Sequence, residues 1–511
     1  MKNHVINKAC FLLGLFLLIG LSRNIQAQSA QQILNRCVQE FGGEAKVKSI
    51  RYLTTNVLSH SHMLEQSERP QGPYIVAYEQ GKELIDLATP GFRKETNAKS
   101  IIYQSKQVEI FAKDLLVRMY GKRAFPMPKD FVQQARLSLW QNPLFILRQA
   151  LQNTQNLHYV GNKTLQGVIN YHLQFTLNKT PISLYINQHT HLLTSVAFKT
   201  TLPHGFFWSI WGKFNTQVYY SLYHLLEGGI RYPQQWDVFQ HEMPYKTYTF
   251  TKVRLAKTAT EEEKTQLKIP QAARAMAQKM PSRSALSLKI KPKGRFEITE
   301  DLFGWQHNWN VGVIVQEKGI YIIESPMTSG YSKQVIAKLK AKYPDKKIKG
   351  VICTSDAWPH IGGVRQYAAE GIPLFAQHLN KPIIQRILKA DYSPNPDDLE
   401  KRRKKPRFQL IDKKVSLKDP KTPVIIVPAN GEGAERMLFL YFPKQKVLYT
   451  SDMIQYLKRK KSFFMPQYLS EVKRIVDKEG WEVSTIFGMH LAPMPWKKVV
   501  EALEQINQSN K

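Results

Sequence analysis

Apolar residues recur at Ile33, Leu34, Cys37, Val38 and Phe41, a spacing that predicts a short helix, and Gly42-Gly43 ends it. From about residue 52 to 256 the pattern changes to alternation. Short β-branched and aromatic runs lie between turn signals, at residues 74–78, 108–111, 171–175, 183–186 and 247–250. Such alternation predicts half-buried antiparallel strands. A helical stretch over 129–151 interrupts them. Residues 257–295 are polar, then basic, and read as a linker. From Phe296 onward, strands alternate with helices. A hairpin is expected over 311–315 and 320–323, turning at Glu317-Lys318-Gly319. Val335, Ile336, Leu339 and Tyr343 share one face of a helix over 332–343. Further strands are expected at 348–353, 374–376, 424–427, 437–442, 447–450 and 483–487, and further helices at 362–370 and 496–506. Residues 383–422 carry prolines and charge but no clear strand, and read as an insertion. The fold class is therefore α+β, an antiparallel β-rich domain (28–256) followed by a sandwich of paired hairpins and helices (296–507).

Length agrees with more than one domain, since the chain has 511 residues. Lys2 and Lys8 precede an apolar run over 11–21, and Ile25-Gln26-Ala27 offers a cleavage site before Gln28. Residues 1–27 therefore read as an export signal, with an uncleaved anchor as the alternative, and the expected location is periplasmic or secreted. Beyond the signal only Cys37 and Cys353 remain. One disulfide is possible, and nothing suggests a thiol nucleophile or thiolate metal site. Lys and Arg total 73 against 40 Asp and Glu, a net charge of +33, with dense runs at 401–405 and 458–461. Such a field favours anionic or amphiphilic ligands or envelope components, and export argues against intracellular nucleic acid. The alternative is that the runs are solvated loops.

The candidate chemistry sits in Thr354-Ser355-Asp356-Ala357-Trp358-Pro359-His360-Ile361-Gly362-Gly363, between an expected strand and helix. This segment resembles the Thr-His-x-His-x-Asp-His-x-Gly-Gly motif of the metallo-β-lactamase superfamily. In that motif one tight turn supplies ligands to two adjacent metals, which lower the pKa of a bridging water. The strand over 319–326 resembles the superfamily's second hairpin strand. The segment 441–452 resembles the pair ending in its metal-bridging Asp, here Asp452. Met489-His490 resembles its final His. The resemblance covers about 296–507 and implies an αββα sandwich. The β-rich domain also resembles, at fold level, the half-barrel sheet of lipoprotein carriers that bind an acyl chain.

The ligand set departs from the family pattern. Ser355, Ala357 and Pro359 replace two His and the Asp, and Gly433 stands where a mid-domain His is expected. A dinuclear zinc centre is therefore not expected. Two readings stand. In one, His360, Asp452 and His490 hold a single divalent metal, zinc first, iron or manganese otherwise, with Asp356 or Glu432 adding an oxygen, and the protein is a mononuclear hydrolase of an ester, amide or phosphoester. In the other, the site is non-catalytic, a pseudoenzyme remnant on a binding protein. Trp305 and Trp309 are candidates to overhang the pocket.

Overall fold

The structure, a computed structural model, describes residues 29–64, 72, 74–101, 103–279, 288–290, 294–306, 309–431, 436–457, 461–465 and 467–509. The export segment and Glu432 therefore lie outside the described residues. No helix among the described residues is long and apolar enough to cross a membrane.

The first helix, Ala30–Glu40, opens on a capping box between Ser29 and Gln32 and buries Ile33, Leu34, Cys37 and Val38. The alternating region forms one antiparallel sheet of thirteen strands. Its first strand, Tyr52–His62, pairs with its last, Met243–Ala256, at mid-sheet. The edges are Arg123–Pro126 and His158–Leu165. The chain passes from one edge to the other through the helical stretch, which is two helices and not one. Lys129–Trp140 ends at Gln141, and Asn142 caps Pro143–Gln152 by accepting from the Leu144 and Phe145 amides. Together they cover one face of the sheet: Trp140 meets Phe198 edge-on, and the Tyr220 hydroxyl donates to the Gln141 carbonyl at 2.6 Å.

The segment expected as a linker is instead a strap. Thr260 caps the helix Glu261–Gln266, and Gln271–Lys279 follows. Ile269 and Ala273 pack on Ile110 and Val117, whose sequence neighbours Phe111 and Leu116 point into the main core. Strand alternation thus places the strap on the opposite face of the sheet.

The C-terminal region is a sandwich. A seven-stranded sheet begins with the antiparallel strands Arg295–Thr299 and Leu302–Trp305, runs through the expected hairpin, Val311–Gln316 with Gly319–Ile323, and continues through the parallel strands Ile348–Cys353, Leu374–Gln377 and Phe408–Ile411. A six-stranded sheet contains Val424–Ala429, Met437–Phe442, Val447–Tyr449 and Thr485–Phe487. Ile314, Ile323 and Ile352 of one sheet meet Leu438, Leu440 and Phe487 of the other. The helix Ser329–Lys342 covers the first sheet, and Gln467–Glu479 and Lys497–Ser509 cover the second. Val311–Gln316 is buried at every position because both faces are covered. The insertion expected over 383–422 is partly framework: Phe408–Ile411 and Val415–Leu417 are edge strands, one in each sheet.

The two regions are joined by a clasp. The Lys213 amide donates to the Asp391 carbonyl at 2.7 Å, and the Tyr392 hydroxyl to the Ser209 carbonyl at 2.8 Å. Phe207 meets Trp358 edge-on, with ring centres 6.2 Å apart. Arg386 Nε donates to His241 Nε2 at 2.9 Å, and its guanidinium lies over Trp211. One apolar cluster runs through both regions. Cys37 and Cys353 are buried, free and unbridged.

Candidate functional site

The strand Gly319–Ile323 ends in a kink, with Glu324 at φ 75° and Met327 at φ 68°. A side chain held in the left-handed region costs about 1–3 kcal/mol, so surrounding contacts must fix it. Glu324 is fully buried. Its carboxylate accepts from the Tyr449 hydroxyl at 2.7 Å, from the Thr354 hydroxyl, and from the Thr354 amide at 3.3 Å. His360, also fully buried, stands beyond it with Nδ1 3.0 Å from Glu324 Oε2. On the other side of the ring, Nε2 lies 3.8 Å from Asp452 Oδ2, and His490 Nε2 lies 3.4 Å from Asp452 Oδ1. The result is a line of side chains, Glu324, His360, Asp452 and His490, in which the acids flank His360. Burial by itself would lower the His360 pKa, but Glu324 and Asp452 outweigh it and push it up to about 10. Burial would raise Asp452, yet His490 and His360 hold it below the ordinary carboxylate range.

The motif turn carries a second, separate ion pair. Asp356 is 1% exposed, and Arg436 Nη1 donates to its Oδ2 at 2.9 Å. Burial raises the Asp356 pKa, and Arg436 opposes that rise. Arg436 is delivered by the strand Met437–Phe442, which docks on the motif through a 2.8 Å bond from the Leu438 amide to the Thr354 carbonyl. Ser355 Oγ accepts from the Ala357 amide at 3.2 Å, and Pro359 sits in the first turn of the short helix Trp358–Ile361. A Cβ on Gly362 would strike the Met327 carbonyl, and one on Gly363 would strike Ser332. Glycine is needed at both because the helix Ser329–Lys342 packs directly behind the turn.

Three of the expected site residues, His360, Asp452 and His490, are brought together. They stand as ion-pair partners, and among the described residues no group of three His, Cys, Asp or Glu is spaced to hold a metal ion. Asp356 is held apart by Arg436. Glu432 lies outside the described residues. Trp309 is at the site, with its ring 5.2 Å from Trp358 and 6.4 Å from His490. Trp305 is not: it is buried in the core, edge-on to Phe303 at 5.8 Å. The sequence reading missed two residues. Glu324 and Arg436 supply the charges just described. Asn310, 3% exposed, donates to the Gly488 and Leu491 carbonyls at 2.9 and 3.0 Å and so fixes the loop that carries His490.

No protein-family profile and no curated protein matches the chain. Among solved structures it is similar to a stereoselective inverting sec-alkylsulfatase from Pseudomonas sp., at 16% identity and TM-score 0.31, over 40% of this chain and 39% of that one. The chain thus spans about two fifths of the alkylsulfatase's length. A metallo-β-lactamase from Pseudomonas aeruginosa in its mono-zinc form matches at 14% identity and TM-score 0.32, over 42% of this chain and 95% of that one. A metallo-β-lactamase from Pontibacter korlensis matches at 11% identity and TM-score 0.32, over 41% and 96%.

Proposed function

We propose that the C-terminal region is a metallo-β-lactamase-like sandwich in which ion pairs replace the two-metal centre, and that the protein works by binding and not by dinuclear hydrolysis. The observation that carries this reading is Arg436 on Asp356. A tethered guanidinium already supplies the positive charge that this buried carboxylate requires. The residues present do not fit a dinuclear metal centre: Ser355, Ala357 and Pro359 stand at three ligand positions of the motif, Asp356 is paired to Arg436, and His360 lies between Glu324 and Asp452, which push its pKa up to about 10. The test is metal content of the purified, mature chain prepared without chelator. Fewer than about a tenth of an equivalent of zinc, iron or manganese, unchanged in Arg436→Ala, supports the reading. Two equivalents would refute it.

The ligand we assign is amphiphilic, with an apolar body and an anionic head. A cleft of about 420 Å³ opens between the two regions at the start of the helix Ser329–Lys342, walled by Pro203, Ile210, Tyr392 and Pro394. The prolines, Ile210 and Tyr392 suit an apolar body, and the chain's net charge of +33 favours an anionic head that stays outside the cleft, whose own charged residues are Asp391 and Asp397. Binding of a fluorescent fatty acid, weakened by Ile210→Asp, checks this assignment. Export through residues 1–27 belongs to the same reading, and N-terminal sequencing of the mature protein tests it.

A second reading rests on the convergence of His360, Asp452 and His490. Asp452 and His490 are 21% and 28% exposed at their side chains, so solvent reaches them. A single divalent ion there would lower the pKa of a bound water. This reading requires His360 to give up its proton and its contact with Asp452. One equivalent of metal, lost in both His360→Ala and His490→Ala, would select it.

A further inference from the structure

The thirteen-stranded sheet encloses a cavity of about 300 Å³ beneath the helix Lys129–Trp140, in the other region from the site described above. Its floor carries two ion pairs. Lys246 Nζ is 2.5 Å from Glu79, and Lys94 Nζ is 3.3 Å from Glu83. The lysine side chains are 19% and 20% exposed, and the glutamates 12% and 11%. Burial by itself would lower both ammonium pKa values, but the partner carboxylates outweigh it and keep both lysines above their ordinary range. Each lysine on the floor thus faces one carboxylate, and the two pairs balance in number. The third acid on the wall, Glu109, is paired with Arg118 at 2.7 Å. Amides and rings complete the lining, among them Gln134, Gln240, Phe92 and Tyr248. Gln240 is 8% exposed, and its Oε1 has no hydrogen-bond partner among the described residues. A buried amide oxygen without a donor costs about 1–3 kcal/mol, so a donor is owed to it.

We infer that this cavity is a binding site for a neutral polyhydroxylated molecule, a mono- or disaccharide. Four features of the wall select that chemistry. The charges balance, so an anion would have to break a lysine–glutamate pair to be received. The ionised floor excludes an acyl chain, because an apolar body would strand buried charges without water. Sugar hydroxyls donate and accept at once, so one hydroxyl can bridge an ammonium and a carboxylate without disturbing their pairing. Finally, a hydroxyl supplies the donor that the buried Gln240 Oε1 lacks.

The test is calorimetric titration of the mature full-length chain with glucose, N-acetylglucosamine and maltose, and in parallel with sodium phosphate and sodium laurate. The expected result is saturable binding of at least one sugar, with affinity insensitive to added salt. Gln240→Leu should weaken that binding about tenfold. Gln134→Ala, on the helix that lines the cavity, should weaken it about threefold. Circular dichroism melts establish that each variant is folded. No heat from any of the three sugars would overturn the inference, as would sugar binding equal in both folded variants. Phosphate competing for the sugar site would overturn it too. None of Asp356, His360, Arg436, Asp452 and His490 lines the cavity, so metal content does not bear on it.

Discussion

Replacing Arg436 with Met isolates the ion pair on which the functional reading rests. The change keeps the apolar stem of the side chain and removes the cation. Asp356 is then a buried carboxylate, 2% exposed at its side chain, without a partner. Breaking a buried pair by removing one member costs about 3–5 kcal/mol. The Arg436 side chain is 21% exposed, so water screens part of the pair and the lower end applies, about 3 kcal/mol. The pH dependence has a fixed sign. An unpaired, buried carboxyl titrates higher when folded than when unfolded. The penalty is therefore absent below the unfolded value and grows as pH rises through and above it. Urea titrations at pH 7 and pH 3.5 measure both terms. The thermal readout carries a second piece of information. With an unfolding entropy near 2.1 cal/mol/K per residue, 511 residues melting together shift by about 3 °C, whereas the sandwich over 296–507 melting alone shifts by about 7 °C. Adding Asp356→Asn should restore most of the loss, since no charge is then stranded. A single variant costing less than about 1 kcal/mol, or a double variant no better than the single, would refute the reasoning.

Other outcomes follow from the clasp and from the site. His241 is held down to about 4 by burial and by the Arg386 cation. A depressed histidine gives stability that is present above the unfolded value of 6.5 and is lost as pH falls towards 4. The loss by pH 4 is up to about 3 kcal/mol, read from denaturant midpoints, and His241→Gln should flatten it. Gly212 sits at φ 60° against the Asp391 carbonyl. Gly212→Ala should cost about 1–3 kcal/mol of strain or more and speed proteolysis of the 391–397 segment. Asn310→Ala removes the second donor from the Gly488 and Leu491 carbonyls, which keep their backbone bonds to each other's residues, and should cost about 1 kcal/mol, with faster amide exchange around His490.

The sequence made local features legible and left side-chain reach unread. The hairpin about Glu317-Lys318-Gly319, the strands at 348–353 and 437–442, and the convergence of His360 with Asp452 and His490 all follow from periodicity or from the motif. The helix expected over 129–151 is split at Asn142-Pro143, a capping signal that lay in the sequence. Phe408–Ile411 was not legible because a short strand joined at one edge, with two half-buried residues and one exposed, carries little apolar pattern. The strap was missed because its grip depends on Ile269 and Ala273 meeting Ile110 and Val117, residues about 150 positions away. Glu324 ends a strand without any periodic mark. Arg436 belongs to a loop whose expected histidine is missing, and only the pairing of Leu438 with Thr354 reveals where its guanidinium falls.

The clasp has a consequence for heredity. Lys213, Ser209 and Phe207 grip Asp391, Tyr392 and Trp358, and one apolar cluster continues beneath them. A chain divided between the sheet and the sandwich would turn aromatic rings on both halves out to water. Neither half can be traded for a foreign module without rebuilding that seam.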